Sequence, residues 1–305
     1  MDSRKVVDVI EKQDWLEPVA DAIQKPAAKV LDADNPASKA TADFLHGKWM
    51  GHPFHAAMTD VPIGAWTVAA VLDLSSSRSM KRGADAAIGV GVAAAGLTAA
   101  AGIADYHMLG DKRTKRLGAM HALLNVGVTA LYIGSMVARA RGNRPLGKAL
   151  GWTAYGILGV SSYLGGALVY DRKVGVNHAP ESDELPDVWE HVCMEDEISE
   201  GELIRRDVGG TPIMLTKKDG RIFALAATCA HFGGPLDEGK IEEDCVVCPW
   251  HASKFRLEDG KCMGGPSAYD QPALQARIAN GQVEVKFDKL EQEKQLADAR
   301  NPYLA

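Results

Sequence analysis

Two short motifs carry the residues of this chain whose types and spacing are best suited to chemistry. Cys229-Ala-His231 is followed a short distance along the chain by Cys248-Pro-Trp-His251, so each motif supplies one thiolate and one imidazole. Two cysteines and two histidines are ligands for a zinc ion, or for an iron–sulfur cluster in which each iron takes a different pair. Zinc sites of this composition usually group cysteine with cysteine and histidine with histidine. The mixed motifs therefore favour the cluster, and with it the transfer of single electrons.

The residues around these motifs extend the pattern. The first loop reads CAHFGGPLDEG and the second reads CPWHASKF, and both resemble the cluster loops of Rieske ferredoxins. The resemblance covers about residues 187 to 288. It implies a small all-β domain with a Rieske-type 2Fe-2S cluster, in which Cys229 and Cys248 bind one iron and His231 and His251 bind the other. Imidazole ligands raise the reduction potential above that of a four-cysteine cluster.

The resemblance also implies which residues tune the cluster. Ser253 matches a position whose hydroxyl donates to a cluster sulfur, and Phe255 stands where high-potential members have a tyrosine hydroxyl. Hydrogen bonds to sulfur stabilise the electron-rich reduced state, so the loss of one donor lowers the potential. We therefore expect an intermediate to low potential for the class. Ala252 stands where glycine is usual, which makes the local loop geometry a question for the structure.

The part of the chain before this domain has a different composition, although 24% of all residues are charged. Three long stretches contain no Asp, Glu, Lys or Arg: residues 86–104, 117–138 and 149–170. At about 1.5 Å per residue, each can cross a hydrocarbon core of roughly 30 Å. Residues 53–74 form a fourth stretch of similar length that includes Asp60 and Asp73. We interpret the four as transmembrane helices; the alternative is a soluble bundle, since residues 86–104 are rich in alanine and glycine.

Three motifs in this part of the chain point to a second family. They read GHPFHAAMTDVPIGAW, HALLN and GGALVYDRKVGV, and they resemble a bacterial four-helix membrane domain of unknown function that sometimes precedes a Rieske domain. The resemblance covers about residues 45 to 178. It implies a multi-pass protein of the bacterial inner membrane, with the lipid bilayer as a partner. The net charge of −6, with basic residues placed at the span boundaries, gives no support for nucleic-acid binding.

Histidines are concentrated on one side of the predicted spans. Four spans return the chain to its starting side, and the histidines on that side are His46, His52, His55, His107, His121 and His178. Ionisable groups within or at the ends of membrane spans are costly and tend to be functional.

Three functional interpretations of these histidines stay open. The first is a haem b ligated by His55 and His121. The second is a metal ion held by His52, His55 and His107 with a carboxylate. The third is a quinone head group, because quinol oxidation releases protons that histidine can accept. The alternative to all three is that the histidines only cap helix ends at the membrane interface.

The location of the Rieske domain is predicted from the absence of an export signal. Lysines and arginines are equally numerous on the two sides of the predicted spans, so the positive-inside rule does not choose between them. No cleavable signal or twin-arginine leader precedes the first span. We therefore expect the Rieske domain to be cytoplasmic.

The fold class predicted from these features is α+β multidomain, an N-terminal four-helix transmembrane bundle followed by a small all-β domain. Strands are expected in the second domain at residues 212–215, 221–227 and 283–287. The predicted segments are a helical tail at 1–45, a membrane domain at 46–178, a Rieske domain at 187–288 and a charged tail at 289–305. The tail is expected to hold one helix, either amphipathic at the membrane interface or solvent-facing or packed.

The predicted function is that of a membrane-anchored Rieske protein that passes single electrons from an unidentified donor to an unidentified acceptor. We expect an electron carrier or an oxidoreductase component rather than a stand-alone catalyst. The alternative is a subunit of a quinol- or haem-linked membrane oxidoreductase, with the second cofactor bound by the histidines of the helical domain.

Overall fold

The structure, a computed structural model, describes residues 4–31 and 35–300. Residues 1–3 and 32–34 of the predicted N-terminal tail, and residues 301–305 of the predicted charged tail, lie outside the described part. The chain divides into two compact units, Met1–Val174 and Gly175–Ala305. We call them the helical unit and the β unit.

Seven α-helices make up the described part of the helical unit. Three short helices come first: α1 (Arg4–Glu11), α2 (Leu16–Val30) and α3 (Pro36–Leu45). Four long helices follow: α4 (Phe54–Asp73), α5 (Arg78–Tyr106), α6 (Lys112–Ala140) and α7 (Arg144–Tyr170). Each stretch predicted as a span lies largely or wholly within one long helix, but the expectation of a bundle of only four helices is wrong.

The turns before α6 and α7 are fixed by side chains that cap the next helix. The Asp111 carboxylate accepts a hydrogen bond from the backbone N–H of Thr114 at 2.9 Å, at the start of α6. Asn143 accepts one from Leu146 at 3.2 Å, at the start of α7. Such caps satisfy N–H groups that have no partner in the first helical turn. The sequence therefore encodes where α6 and α7 begin, whereas Ser77 before α5 makes no side-chain cap.

The short helices pack on the long ones, and the tail contains three helices where one was expected. Val7 of α1 is buried in a cluster with Leu117 of α6 and Leu164 of α7. The Glu11 carboxylate is buried and accepts a hydrogen bond from Arg172 Nε at 2.8 Å. Because the apolar residues of the tail find partners on α6 and α7, the tail folds as part of the helical unit.

Two of the long helices, α5 and α6, are long and apolar enough to cross a membrane. Helix α4 contains Asp60 and Asp73, and the apolar residues of α7 are interrupted by glycine, serine, tyrosine and tryptophan. Of the four predicted spans, only α5 and α6 have the length and composition of a membrane span among the described residues.

The long helices form two hairpins around one core. Helix α4 packs mainly against α5, and α6 packs mainly against α7. All four contribute to a buried cluster whose largest members are Trp66 of α4 and Tyr132 of α6. The rings of Trp66 and Tyr132 stack, with centroids 4.4 Å apart and planes inclined by 12°.

A buried ion pair joins the same two helices at one end of this core. The carboxylate of Asp73 on α4 and the guanidinium of Arg139 on α6 are almost fully buried. Arg139 Nη1 donates to Asp73 Oδ1 at 2.9 Å and to Asp85 Oδ1 at 3.0 Å. Pairing of this kind makes the burial of charged groups tolerable in an apolar interior.

In the described part of the β unit, ten strands form two antiparallel sheets. The strands are β1 (Glu190–Met194), β2 (Leu203–Val208), β3 (Thr211–Lys218), β4 (Arg221–Ala226), β5 (Lys240–Glu242), β6 (Cys245–Val247), β7 (Lys254–Arg256), β8 (Cys262–Gly264), β9 (Ala273–Ala279) and β10 (Gln282–Lys286). The six-stranded sheet has the order β1-β10-β9-β4-β3-β2, and the four-stranded sheet has the order β5-β6-β7-β8. The charged helix α8 (Lys289–Arg300) follows.

The all-β prediction for the second domain is confirmed. The segments expected to be strands fall on β3, β4 and β10, with only their terminal residues outside. Ile213 and Leu215 of β3 and Val283 and Val285 of β10 are fully buried in one core. In β10, Val283 and Val285 alternate with less buried neighbours, the period-two pattern of a strand with one face on the core. In β3, Met214 is also fully buried, in the second core with both cysteines, so both faces of this strand are covered.

Candidate metal centre

The two cysteine–histidine motifs lie on loops that follow buried strands. The first loop leaves the six-stranded sheet after β4, and the second is the tip of the hairpin between β6 and β7. The backbone N–H of Cys229 donates to the carbonyl of Gly234 at 2.9 Å, and that of Cys248 donates to the carbonyl of Ser253 at 2.9 Å. Each loop is therefore closed on itself, with its cysteine at the base.

Both cysteines are buried and share a hydrogen bond. Cys229 is 1% exposed and Cys248 is 3% exposed. The backbone N–H groups two and three positions further on point at each sulfur. The hydrogen bond from Cys229, assisted by these N–H groups, lowers the pKa of the Cys248 thiol to about 6. The same shared proton, together with burial, raises the pKa of Cys229. Donors aimed at sulfur favour the thiolate, which is the form that binds iron.

The two histidines form a second pair nearer the surface. The ring centroids of His231 and His251 are 5.1 Å apart, their planes are nearly perpendicular, and both rings are partly exposed. Among the described residues, no three His, Cys, Asp or Glu side chains converge on one point as a single metal ion would require. The four candidate ligands are thus arranged as two pairs, which suits a cluster with two irons.

Ser253 tests whether the site fits such a cluster. Its side chain is fully buried, and its hydroxyl has no hydrogen-bond partner in the protein. An unsatisfied buried hydroxyl costs roughly 1–3 kcal/mol. A cluster sulfur next to the Cys248 loop would accept this hydrogen bond, so the residues present fit a 2Fe-2S group.

Close backbone approach shapes the loops around the site. A Cβ atom on Gly234 would lie 2.9 Å from Cys248 Sγ and 3.0 Å from the Trp250 ring, so only glycine fits there. Ala252 has a φ of 56°, in the left-handed region. This explains why the family has glycine at that position, since an L side chain costs roughly 1–2 kcal/mol there.

Gln271 braces the first loop and was missed by the sequence analysis. It is fully buried; its Nε2 donates to the carbonyls of Ala226 and Thr228 at 2.8 Å, and its Oε1 accepts from the Ala230 N–H at 2.9 Å. These contacts join residues far apart in sequence, so no local spacing could reveal them. Gln271 holds the backbone on both sides of Cys229.

The histidines of the helical unit divide into separate environments. His52 is exposed, with Nδ1 3.3 Å from the carbonyl of Pro53. His107 lies with Nδ1 2.6 Å from the Ala104 carbonyl, and its ring is 6.2 Å from that of His46. The described residues do not gather His52, His55 and His107 with a carboxylate around one ion. The metal-ion interpretation is therefore not supported.

Known families match both units. Residues 188–275 match the model of the Rieske [2Fe-2S] domain, and residues 51–178 match a family described as predicted membrane protein (DUF2231). The ferredoxin component of biphenyl 2,3-dioxygenase from Rhodococcus jostii (strain RHA1) is 34% identical over 97 residues, which cover 32% of this chain and 91% of that protein.

Two further similarities cover the same region. Human apoptosis-inducing factor 3 is 29% identical over 98 residues, which are 32% of this chain but only 16% of that protein. The solved ferredoxin of carbazole 1,9a-dioxygenase from Nocardioides aromaticivorans IC177 is 20% identical, with 33% of this chain and 99% of that chain covered and a TM-score of 0.32.

The chain belongs to the Rieske iron–sulfur family, and its cofactor is a Rieske-type 2Fe-2S cluster. The domain match covers the two closed loops and the paired candidate ligands described above. Within that family, the chain is a ferredoxin-type electron-transfer component that carries a helical domain before its Rieske domain.

Proposed function

We propose that this chain is a membrane-anchored carrier that passes single electrons through a 2Fe-2S cluster held by Cys229, Cys248, His231 and His251. The observation that carries the ligand assignment is the pairing of two buried cysteines with two partly exposed histidines, beside the buried Ser253 hydroxyl without a protein partner. When bound, the cluster takes up and releases one electron at a time.

The two ends of the site differ in their exposure to solvent. The cysteine end is enclosed in the apolar core with Phe255 and Leu236. The histidine end is partly exposed and lies beside Trp250, which is 56% exposed. An exposed aromatic ring is a frequent anchor of protein interfaces. The histidine tip is therefore the surface that we assign to donor and acceptor docking.

The acceptor class is proposed from the relatives. The protein from Rhodococcus jostii is a ferredoxin component of a dioxygenase. We assign to this chain an oxygenase as its electron acceptor and a reductase as its donor, with each step moving one electron and no atoms.

The helical unit supplies the membrane anchor in this proposal. Support comes from the match of residues 51–178 to a predicted membrane protein family and from the length and composition of α5 and α6. A multi-pass location in a bacterial inner membrane, with the β unit on the cytoplasmic side, completes the proposal.

The ligand assignment is tested by electron paramagnetic resonance of the dithionite-reduced, detergent-purified full chain. The wild type should give a Rieske signal, and His251→Ala should abolish it because one iron loses a ligand. His191→Ala is the matched control, since His191 lies exposed on β1 and should leave the signal unchanged. A Rieske signal retained in His251→Ala would overturn the assignment.

A further inference from the structure

His55 on α4 and His121 on α6 are held in matching ways by the two hairpins. His55 Nδ1 lies 2.9 Å from the carbonyl oxygen of Thr98 on α5. His121 Nδ1 lies 2.9 Å from the carbonyl oxygen of Ser161 on α7. In both cases the imidazole donates its Nδ1 proton to a backbone carbonyl of the other helix of its own hairpin.

A glycine makes room for each ring. Gly102 and Gly165 follow the two accepting residues by one helical turn, at position i+4. A Cβ on Gly102 would lie 2.7 Å from the His55 ring, and one on Gly165 would lie 3.1 Å from the His121 ring. The carbonyl and the glycine together fix where each imidazole lies against its neighbouring helix.

The hydrogen bonds decide which ring nitrogen is left to bind a ligand. A neutral imidazole that donates through Nδ1 carries a lone pair on Nε2. In His121 the side-chain amide of Asn125 donates to this lone pair at 3.0 Å, which supports the tautomer; a ligand at Nε2 would take the place of the Asn125 hydrogen bond. Metal-binding histidines almost always donate their other ring N–H to a carbonyl or carboxylate, which fixes the tautomer. Both histidines have this arrangement.

The two histidines occupy equivalent positions in an internal repeat. Trp66 follows His55 along α4 at the same separation at which Tyr132 follows His121 along α6, and the two aromatic rings stack in the core. Thr98 and Ser161 are likewise equivalent on α5 and α7. Thr98 and Ser161 lie roughly 12–14 Å from the C-terminal ends of α5 and α7, at about 1.5 Å per residue, whereas His55 is the second residue of α4. His55 and His121 also lie close enough to interact electrostatically.

The ligand number favours one class of cofactor. Zinc sites in proteins use three or four protein ligands, whereas the described residues bring no third His, Cys, Asp or Glu to this pair. A haem iron needs only axial ligands from the protein, because the porphyrin supplies the other four. Cofactor sites in helical bundles are commonly built from side chains on facing helices.

We propose that His55 and His121 are the two axial ligands, through their Nε2 atoms, of a b-type haem bound between the α4–α5 and α6–α7 hairpins. The site goes beyond the proposed ferredoxin function, and its existence does not depend on the Rieske cluster. It gives the helical unit a redox centre of its own.

The test uses the full chain, produced in cells supplied with a haem precursor, purified in detergent and then titrated with hemin. We expect one haem per chain by pyridine haemochrome assay and a low-spin ferric signal, separate from the Rieske signal. His55→Ala and His121→Ala should each lose the low-spin haem. His52→Ala and His107→Ala are matched controls from the same end of the unit and should keep it.

Chemical rescue separates ligation from folding. In His55→Gly, added imidazole should restore the low-spin spectrum, because it replaces the missing ligand in a folded site. A wild-type chain that binds no haem while its Rieske signal is intact would overturn the haem site and leave the ferredoxin function standing. Haem retained in the His55→Ala, His121→Ala double variant, or binding of only a metal ion or a quinone, would also overturn it. A chain with haem but no Rieske signal would contradict the proposed function instead.

Discussion

In the β unit, the residues proposed to bind the cluster differ from those proposed to tune its reduction potential. Two cysteines and two histidines supply the four candidate bonds to iron, whereas Ser253 and Phe255 lie beside them without being ligands. A hydrogen bond to a charged group is worth about 1.5–3 kcal/mol. For a one-electron couple, about 1.4 kcal/mol corresponds to about 59 mV. One hydroxyl is thus enough to move the potential measurably.

Ser253→Ala should lower the midpoint potential by on the order of 60–130 mV, because the reduced cluster loses a donor. The measurement is a redox titration followed by electron paramagnetic resonance. Thr216→Val is the control: Thr216 has another fully buried hydroxyl without a partner, but it lies on β3 opposite Phe223. Equal potentials in Ser253→Ala and wild type would contradict the role given to Ser253.

Phe255→Tyr should raise the midpoint potential by on the order of 60 mV, since a new hydroxyl is placed in the core that contains both cysteines. Phe255 is fully buried, so the added oxygen should also cost about 1–3 kcal/mol of stability. Phe287→Tyr adds the same group in the other core of the β unit, with Ile213 and Val283, and should leave the potential unchanged. An unchanged or lower potential in Phe255→Tyr would count against this interpretation.

The candidate ligands were readable from the sequence because iron chemistry demands particular residue types at short spacing. The residues that shape the site were not readable in this way. Gln271 acts on a loop that is distant in sequence, and Gly234 is required by a contact with the other loop. Such constraints exist only after the strands have brought both loops together.

At the scale of elements, the two cluster loops pack so closely that the backbone of Gly234 in the first loop lies against side chains of the second loop. Gly234→Ala would place a methyl group against Cys248 Sγ and Trp250, so the loops should separate and the cluster content should fall. Gly264→Ala is the control, because its Cβ would make ordinary contact with Lys254 at 3.6 Å. Iron and acid-labile sulfide per chain give the readout; equal content in both variants would contradict the prediction.

The buried ion pair between α4 and α6 should matter for the stability of the helical unit. Asp73→Asn leaves the Arg139 guanidinium with only the partly exposed Asp85 carboxylate, and disrupting a buried pair costs up to about 3–5 kcal/mol. We expect a lower midpoint of thermal unfolding for the detergent-purified chain. Asp60→Asn, an exposed position on the same helix, should change it little. A similar loss in both variants would argue against a special role for the pair.

Helix positions were predicted where local patterns decide them and missed where packing decides them. Uncharged runs and basic joints located α5, α6 and α7, and Asp111 and Asn143 fix the starts of α6 and α7. The short helices α1 to α3 have mixed composition and are held by contacts such as Val7 with Leu117. Only the assembled unit provides those contacts, so the sequence pattern indicated one helix instead of three.

At the scale of the whole molecule, the chain divides at Val174 and Gly175 into two units with separate cores. We expect residues 175–305, produced alone, to be soluble and to give the same Rieske signal as the full chain. Residues 1–174 should stay with carbonate-washed membranes. A fragment without the signal would show that the cluster site depends on the helical unit, and a full chain found in the soluble fraction would contradict the membrane anchor.

The Asp73–Arg139 pair has a consequence for how the two hairpins came to be different. Asp73 follows His55 at the same separation at which Arg139 follows His121, so the pair occupies equivalent positions of the repeat. Two identical hairpins meeting across a two-fold axis would bring aspartate against aspartate or arginine against arginine. Opposite charges can face each other there only when the halves are unequal. A symmetric dimer of two identical hairpins could not have formed the Asp73–Arg139 ion pair. A single chain with two different hairpins can form it.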